Sequence, residues 1–98
     1  MLRDPSGTAY YEAGSGAPLV LLHGVGLDAA MWLPVVERMA KRHRVIAPDL
    51  PGHGGSPAPP ADATLSFYAD RVAALLRHLG VERAGVADQI RITRRELT

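Results

Sequence analysis

The chain has 98 residues, the length of one small domain, with 47% hydrophobic and 21% charged residues, which is typical of a globular protein. Its formal net charge of +1 gives no electrostatic footprint for nucleic acid, and no apolar run reaches the roughly 18 residues of a membrane span. The absence of cysteine excludes disulfides and thiolate catalysis and favours a reducing compartment, so we expect a cytoplasmic protein.

The first predicted elements are two strands. Asp4-Pro5-Ser6-Gly7 favours a turn, and residues 8–12, TAYYE, have the β-branched and aromatic content of a strand. Four consecutive apolar residues, Leu19–Leu22, predict a short buried strand. Because Gly14-Ser15-Gly16 reads as a tight connection, we expect these two strands to form a β-hairpin.

A helix and a further strand are predicted next. Apolar residues recur at helical spacing from Trp32 or Leu33 to about Arg42, and Pro34 fits the first turn of a helix. Residues 44–48, RVIAP, predict a second buried strand. Strand, helix and strand in this order imply a right-handed crossover and parallel pairing.

The second helix is predicted after a loop rich in glycine and proline. Thr64 is the expected N-cap, and Gly80 is the expected residue just beyond the C-terminus of the helix. The helix has one predicted apolar face, formed by Leu65, Tyr68, Val72, Leu75, Leu76 and Leu79.

The order of these elements predicts an α/β fold, with a β-hairpin that leads into a short, mainly parallel sheet with flanking helices. Residues 84–86 are expected to start a third parallel strand. The polar residues that follow predict a weakly ordered tail over residues 87–98, which leaves residues 1–86 as the α/β domain.

The stretch most indicative of function is HGVG, residues 23–26, directly after the first buried strand. Glycines this close to a strand end let the backbone turn sharply and leave N–H groups that can bind negative charge. One use is an oxyanion hole. The other is a dinucleotide cradle in which Gly24 makes the turn, Gly26 admits the pyrophosphate and Asp49 binds the ribose. Pro34 argues against the cradle, because that motif needs a helix to begin at the glycines.

The stretches LVLLHGVG and RVIAPDLPGHGGS, with Trp32 between them and a long helix ending in LG, resemble the N-terminal half of an α/β-hydrolase. The likeness covers residues 8–86 and is strongest to bacterial carboxylesterases, enol-lactonases and carbon–carbon bond hydrolases of ring-cleavage pathways. It implies a serine hydrolase acting on ester, lactone or related carbonyl bonds of a small-molecule substrate, without a cofactor or a metal ion.

The resemblance also implies roles for individual residues. Val25 would donate its backbone N–H to the developing oxyanion, while His23, Gly24 and Gly26 would shape the loop around it. The loop after the second buried strand would have four structuring residues, Asp49, Gly52, His53 and Gly54.

The remaining catalytic parts of such an enzyme have no match in this sequence. The family pattern needs a G-x-S-x-G elbow after the third parallel strand, followed by an acid and a histidine base. Here Ala87-Asp88-Gln89 stands at that point, and none of the four serines has the elbow pattern. We therefore expect the chain alone to be inactive, as a truncated or frame-shifted product or as a subunit. An open sheet edge would then allow self-association or completion by another chain.

Overall fold

The computed structural model describes residues 1–24 and 26–88. Within them, five strands form one sheet in the order β1-β2-β4-β3-β5, and a helix packs on each face. The strands and helices, in chain order, are β1 (Leu2–Arg3), β2 (Ala9–Ala13), β3 (Ala17–Leu22), α1 (Leu33–Met39), β4 (His43–Pro48), α2 (Leu65–His78) and β5 (Gly85–Asp88).

The centre of the sheet is parallel, and side chains alternate between its two faces. β3 pairs in parallel with both β4 and β5. Val20 and Leu22 belong to the core beneath α2, whereas Leu21 belongs to the core beneath α1 with Val36. Helices on both faces of the sheet confirm the predicted α/β fold, in which β3, β4 and β5 are parallel while β1 and β2 pair antiparallel.

The predicted hairpin between residues 8–12 and residues 19–22 is wrong. β2 pairs antiparallel with β4, which therefore lies between β2 and β3. The connection from β2 to β3 crosses the start of β4, where a Cβ on Gly14 would overlap the carbonyl oxygen of His43. Gly14 and Gly16 have φ of 82° and 112°. The two glycines thus allow a close backbone crossing. A tight hairpin turn favours the same Gly-Ser-Gly sequence, so the sequence alone did not distinguish the two.

A different hairpin is present at the start of the chain. β1 pairs antiparallel with β2, and the turn that joins them contains the predicted DPSG sequence. The Oδ1 atom of Asp4 accepts hydrogen bonds from the backbone N–H groups of Ser6, at 2.9 Å, and Thr8, at 3.0 Å. A buried carboxylate therefore organises this turn.

The helix ends follow the sequence signals in part. α1 begins at Leu33 as predicted, after a 3₁₀ turn over Ala29–Trp32. α2 ends at His78, and Gly80 lies just beyond its C-terminus as predicted, with a φ of 71° and an N–H that donates to the Arg77 carbonyl at 3.1 Å. At the other end of α2, Thr64 occupies the N-cap position but its side chain makes no capping hydrogen bond.

The third parallel strand is longer than predicted. β5 continues through Ala87 to Asp88, two residues past the predicted domain boundary at residue 86, so both residues belong to the sheet and not to the tail. The rest of the predicted tail, residues 89–98, lies outside the described residues, as does Val25. No helix in the described part of the chain has the length and hydrophobicity needed to cross a membrane.

Candidate functional site

The predicted site residues lie in two loops at the carboxyl ends of adjacent parallel strands. Residues 23–29, which follow β3 and end at the first residue of the 3₁₀ turn, are called the β3 loop; residues 49–57 follow β4 and are called the β4 loop. Since β3 and β4 run in parallel, both loops leave the sheet at the same edge. This edge is where α/β sheets place their ligands.

Asp49 joins the two loops from a buried position, with 2% of its surface exposed. Its Oδ1 atom accepts the N–H of Ala29 at 2.8 Å, and its Oδ2 atom accepts the N–H of Gly55 at 2.9 Å. A Cβ on Gly54 would overlap this carboxylate, and the φ of Gly54 is 51°. Asp49 therefore satisfies backbone donors from both sides of the site, and its enclosed carboxylate offers no exposed acceptor for the ribose of the dinucleotide interpretation.

His23 forms a second link between the loops and is fully buried. Its Nε2 atom accepts the N–H of Leu50 at 2.9 Å, so the ring proton is on Nδ1, which donates to the Gly24 carbonyl at 2.8 Å. Burial lowers the pKa of His23 below its usual value, and repulsion from His53 acts in the same direction. The neutral imidazole is therefore a fixed structural group, with both nitrogens bonded to backbone.

His53 forms the third link from the β4 loop. Its Nε2 atom accepts the N–H of Gly26 at 3.1 Å, and its Nδ1 atom donates to the Pro51 carbonyl at 3.0 Å. The ring is half-buried, and its centroid lies 4.9 Å from that of His23 at an interplanar angle of 57°. The sequence predicted both histidines as loop-shaping residues but did not predict this contact between them.

The β3 loop makes a tight turn. The N–H of Leu27 donates to the Gly24 carbonyl at 3.2 Å, and Gly26 within the turn has a φ of 81°. A Cβ on Gly26 would meet no atom within 4 Å, so the backbone conformation and not crowding favours glycine here. Val25 lies outside the described residues, and its N–H remains a predicted oxyanion donor.

An open cleft of about 540 Å³ lies between the two loops. Leu27, Asp28 and Met31 line one side, and Gly52 and His53 line the other. The β4 loop closes on itself beside this cleft, since the N–H of Gly52, with φ of 76°, donates to the Pro57 carbonyl at 2.8 Å. In the described part of the chain, no cluster of three or more histidine, aspartate or glutamate side chains could hold a metal ion.

Ser56 has a structural role that the sequence analysis missed. Its Oγ atom donates to the Asp49 carbonyl at 2.6 Å and accepts the N–H of Ala9 at 3.0 Å. The hydroxyl therefore ties the β4 loop to β2. No local pattern could have indicated this role, because Ser56 and Ala9 are 47 positions apart.

Comparison with known proteins identifies the family to which this chain belongs. A family model described as the alpha/beta hydrolase fold matches residues 17–86. A curated (E)-2-((N-methylformamido)methylene)succinate hydrolase from Acinetobacter baylyi is 51% identical over 61 residues, which make up 62% of this chain and 23% of that protein.

Solved structures of other hydrolases are also similar to this chain. An enol-lactonase from Burkholderia xenovorans superposes with a TM-score of 0.79 at 30% identity, over 83% of this chain and 33% of that one. A thermophilic esterase from Thermogutta terrifontis also gives a TM-score of 0.79, at 38% identity, over 83% of this chain and 30% of that one. The chain thus spans 23–33% of the length of these proteins.

Proposed function

Since this chain belongs to the α/β-hydrolase fold family, we propose that its β3 loop is the oxyanion loop of a serine hydrolase acting on ester, lactone or related carbonyl bonds. The substrate class is supported by the names of the similar solved structures, an enol-lactonase and an esterase. The substrate is a small molecule, and the reaction needs neither a cofactor nor a metal ion.

The observation that carries this proposal is the attachment of the β3 loop to the β4 loop. The N–H groups of Gly26 and Ala29 are bonded to His53 and Asp49, and His23 accepts the N–H of Leu50. Hydrolysis of an ester puts negative charge on the former carbonyl oxygen, and a fixed backbone N–H stabilises this charge without reorganising. One such donor is worth about 3 kcal/mol of transition-state stabilisation. We assign this donor to the N–H of Val25.

The position of β5 supports the same assignment. Asp88, at the carboxyl end of β5, is in register with Leu22, one residue before the β3 loop. In the family pattern the nucleophile elbow follows this strand, so a serine at that point would lie beside the oxyanion loop.

We further propose that the 98-residue chain does not hydrolyse esters by itself. Its sequence contains no G-x-S-x-G motif, and the nucleophile, the acid and the base would have to come from polypeptide beyond these residues. The purified chain should release no burst of p-nitrophenol from p-nitrophenyl acetate. A burst that a serine-directed phosphonate abolishes would contradict this proposal.

The oxyanion assignment can be tested in a complete enzyme. Residues 17–86 of this chain would replace the matching segment of the Thermogutta esterase, which is 38% identical. In an active chimera, Val25→Pro removes the backbone N–H and should lower kcat by roughly 10²- to 10³-fold. Val25→Ala keeps the N–H and is the matched control. Equal rates for the two variants would reject Val25 as the oxyanion donor.

We also propose that the outer edge of β5 is an association site, for a second copy or a completing chain. Among the described residues, β5 has a strand neighbour on one side only, which is β3. An unpaired edge leaves N–H and C=O groups that another strand can bind. Light scattering coupled to size-exclusion chromatography should detect species larger than the 10.5 kDa monomer. Val86→Pro, which removes a backbone donor from this strand, should reduce them; a monomer at all concentrations would exclude a second copy as the occupant.

A further inference from the structure

We propose that His53 is a positioning residue for the β3 loop and that its protonation releases the N–H of Gly26. This proposal rests on the function proposed above. It states which residue holds the proposed oxyanion loop in place and under which condition the N–H of Gly26 is released. The measurement concerns the β3 loop and not turnover, so the proposal can be tested separately from the hydrolase function.

The hydrogen bonds of His53 allow only one arrangement of its ring proton. Nε2 lies 3.1 Å from the backbone nitrogen of Gly26, which can only donate, so Nε2 must be the unprotonated acceptor. Nδ1 lies 3.0 Å from the Pro51 carbonyl oxygen, which can only accept, so Nδ1 carries the proton. The neutral ring therefore bridges the two loops, with its donor on the β4 loop and its acceptor on the β3 loop.

Protonation changes these two contacts differently. A proton on Nε2 places two hydrogens between that atom and the Gly26 nitrogen, and the hydrogen bond is lost. The bond from Nδ1 to the Pro51 carbonyl persists and becomes charge-assisted. The ring therefore stays on the β4 loop while the N–H of Gly26 is freed, at a residue that is already exposed.

Two titratable groups lie beside His53, and two further charged groups bond to Gly55, two residues along the β4 loop. His23 lies in ring contact from the end of β3, and Asp28 lines the same cleft from the β3 loop. Asp49 comes from the end of β4, and Arg3 comes from β1, with its guanidinium bonded to the Gly55 carbonyl.

The two neighbouring histidines are therefore suited to different roles. His23 is fully buried, and burial lowers its pKa, so it keeps its bond to Leu50 into more acidic solution. His53 is half-buried beside an open cleft and can exchange protons with solvent. His23 is a permanent link between the loops, and His53 is one that can open.

The test is a pH titration of the whole ¹⁵N-labelled chain by NMR, following the Gly26 amide and the imidazole resonances of His53. The Gly26 amide should shift with the same midpoint as the His53 ring, and its hydrogen exchange, corrected for the intrinsic effect of pH, should become roughly fivefold faster on protonation. The Leu50 amide, bonded to His23, should stay protected over that range. This separates local release from unfolding.

Three variants complete the test. His53→Gln provides a carbonyl acceptor that does not titrate, so the pH-dependent step at Gly26 should disappear while its protection is retained. His53→Ala should give fast exchange at Gly26 at every pH. His78→Gln, at the exposed end of α2, is the control and should leave the step unchanged.

The proposal is overturned if the Gly26 amide shows no step at the midpoint of His53, or if the step persists in His53→Gln. Should His53→Ala fail to fold, the original chain and His53→Gln decide the question alone. An inactive chimera would count against the proposed hydrolase function but leaves this result unaffected, because the readout is the loop and not turnover.

Discussion

The two loops at the carboxyl edge of the sheet are stabilised in opposite ways. The β4 loop bonds to itself: the N–H of His53 donates to the Leu50 carbonyl at 2.9 Å, and the N–H of Ser56 donates to the His53 carbonyl at 3.0 Å. The β3 loop closes one turn through Leu27 and Gly24, but the N–H groups of Gly26 and Ala29 depend on acceptors from the β4 loop. In the proposed oxyanion role the β3 loop has to present a free N–H group, so its support has to come in part from a neighbour.

The largest expected effect comes from removing the acceptor that serves both loops. Asp49→Ala leaves the N–H groups of Ala29 and Gly55 without a partner. We expect the free energy of unfolding to fall by about 3–5 kcal/mol, from the loss of two hydrogen bonds to a charged group and the cost of leaving the buried Ala29 donor unpaired. Urea denaturation measures this, with trimethylamine N-oxide added to both chains if the variant is unfolded in buffer.

Asp49→Asn is the matched variant, since its amide oxygen can keep one of the two acceptor positions. Its free energy of unfolding should lie between that of the original chain and that of Asp49→Ala. If Asp49→Ala lowers the stability by less than about 1 kcal/mol, the carboxylate is not the shared support of the two loops.

A second prediction separates crowding from backbone strain. In Gly54→Ala the new Cβ would overlap the Asp49 carboxylate, and the residue would also keep a φ of 51°. We expect a loss of about 2–4 kcal/mol in the free energy of unfolding. Gly26→Ala has positive φ but no atom within 4 Å, so its loss should be about 1 kcal/mol.

Gly80→Ala at the end of α2 is a control outside both loops, because Gly80 also has positive φ with open space around it. The decrease in its free energy of unfolding should match that of Gly26→Ala. Equal losses for all three variants in urea denaturation would mean that backbone strain alone explains the glycines, and that Gly54 has no special relation to Asp49.

The parts of the fold that the sequence predicted are those set by local pattern. Four apolar residues at Leu19–Leu22, the spacing of α2 and the glycine at its end each determine an element without reference to distant residues. Strand pairing is different. The glycines at 14 and 16 favour a tight turn and a close crossing equally, and only the position of β4 between β2 and β3 decides between the two.

The same division applies to the site. The HGVG and PGHG stretches indicated which residues form the loops. The bonds between the loops, from Gly26 to His53 and from Ala29 to Asp49, join residues 27 and 20 positions apart. Their pairing follows from the parallel register of β3 and β4, which composition and periodicity do not specify.

A third prediction concerns pH and the permanent link between the loops. The pKa of His23 is lowered from its usual 6.5 by burial. Below that value the unfolded chain takes up a proton that the folded chain does not, so the stability of the fold decreases as the pH falls. The slope from this one group cannot exceed about 1.4 kcal/mol per pH unit. Urea denaturation at pH 7.5, 6.5 and 5.5 measures it.

His23→Gln removes the titrating group, and it should lower the stability at pH 7.5 but flatten its dependence on pH. His78→Gln is the control, from an exposed position on α2. An unchanged slope in His23→Gln would show that other groups cause the acid sensitivity.

The smallest expected effect lies within the β3 loop itself. The Oδ1 atom of Asp28 accepts the N–H of Ala30 at 3.0 Å and caps the 3₁₀ turn that leads into α1. Asp28→Ala should lower the free energy of unfolding by about 0.5–1 kcal/mol, and Asp28→Ser, which keeps a capping oxygen, by less. Because this bond is local to the β3 loop, its loss should leave the Leu50 amide protected from exchange. Loss of protection at Leu50 would mean that the Asp28 cap also holds in place His23, whose Nε2 atom accepts the Leu50 N–H.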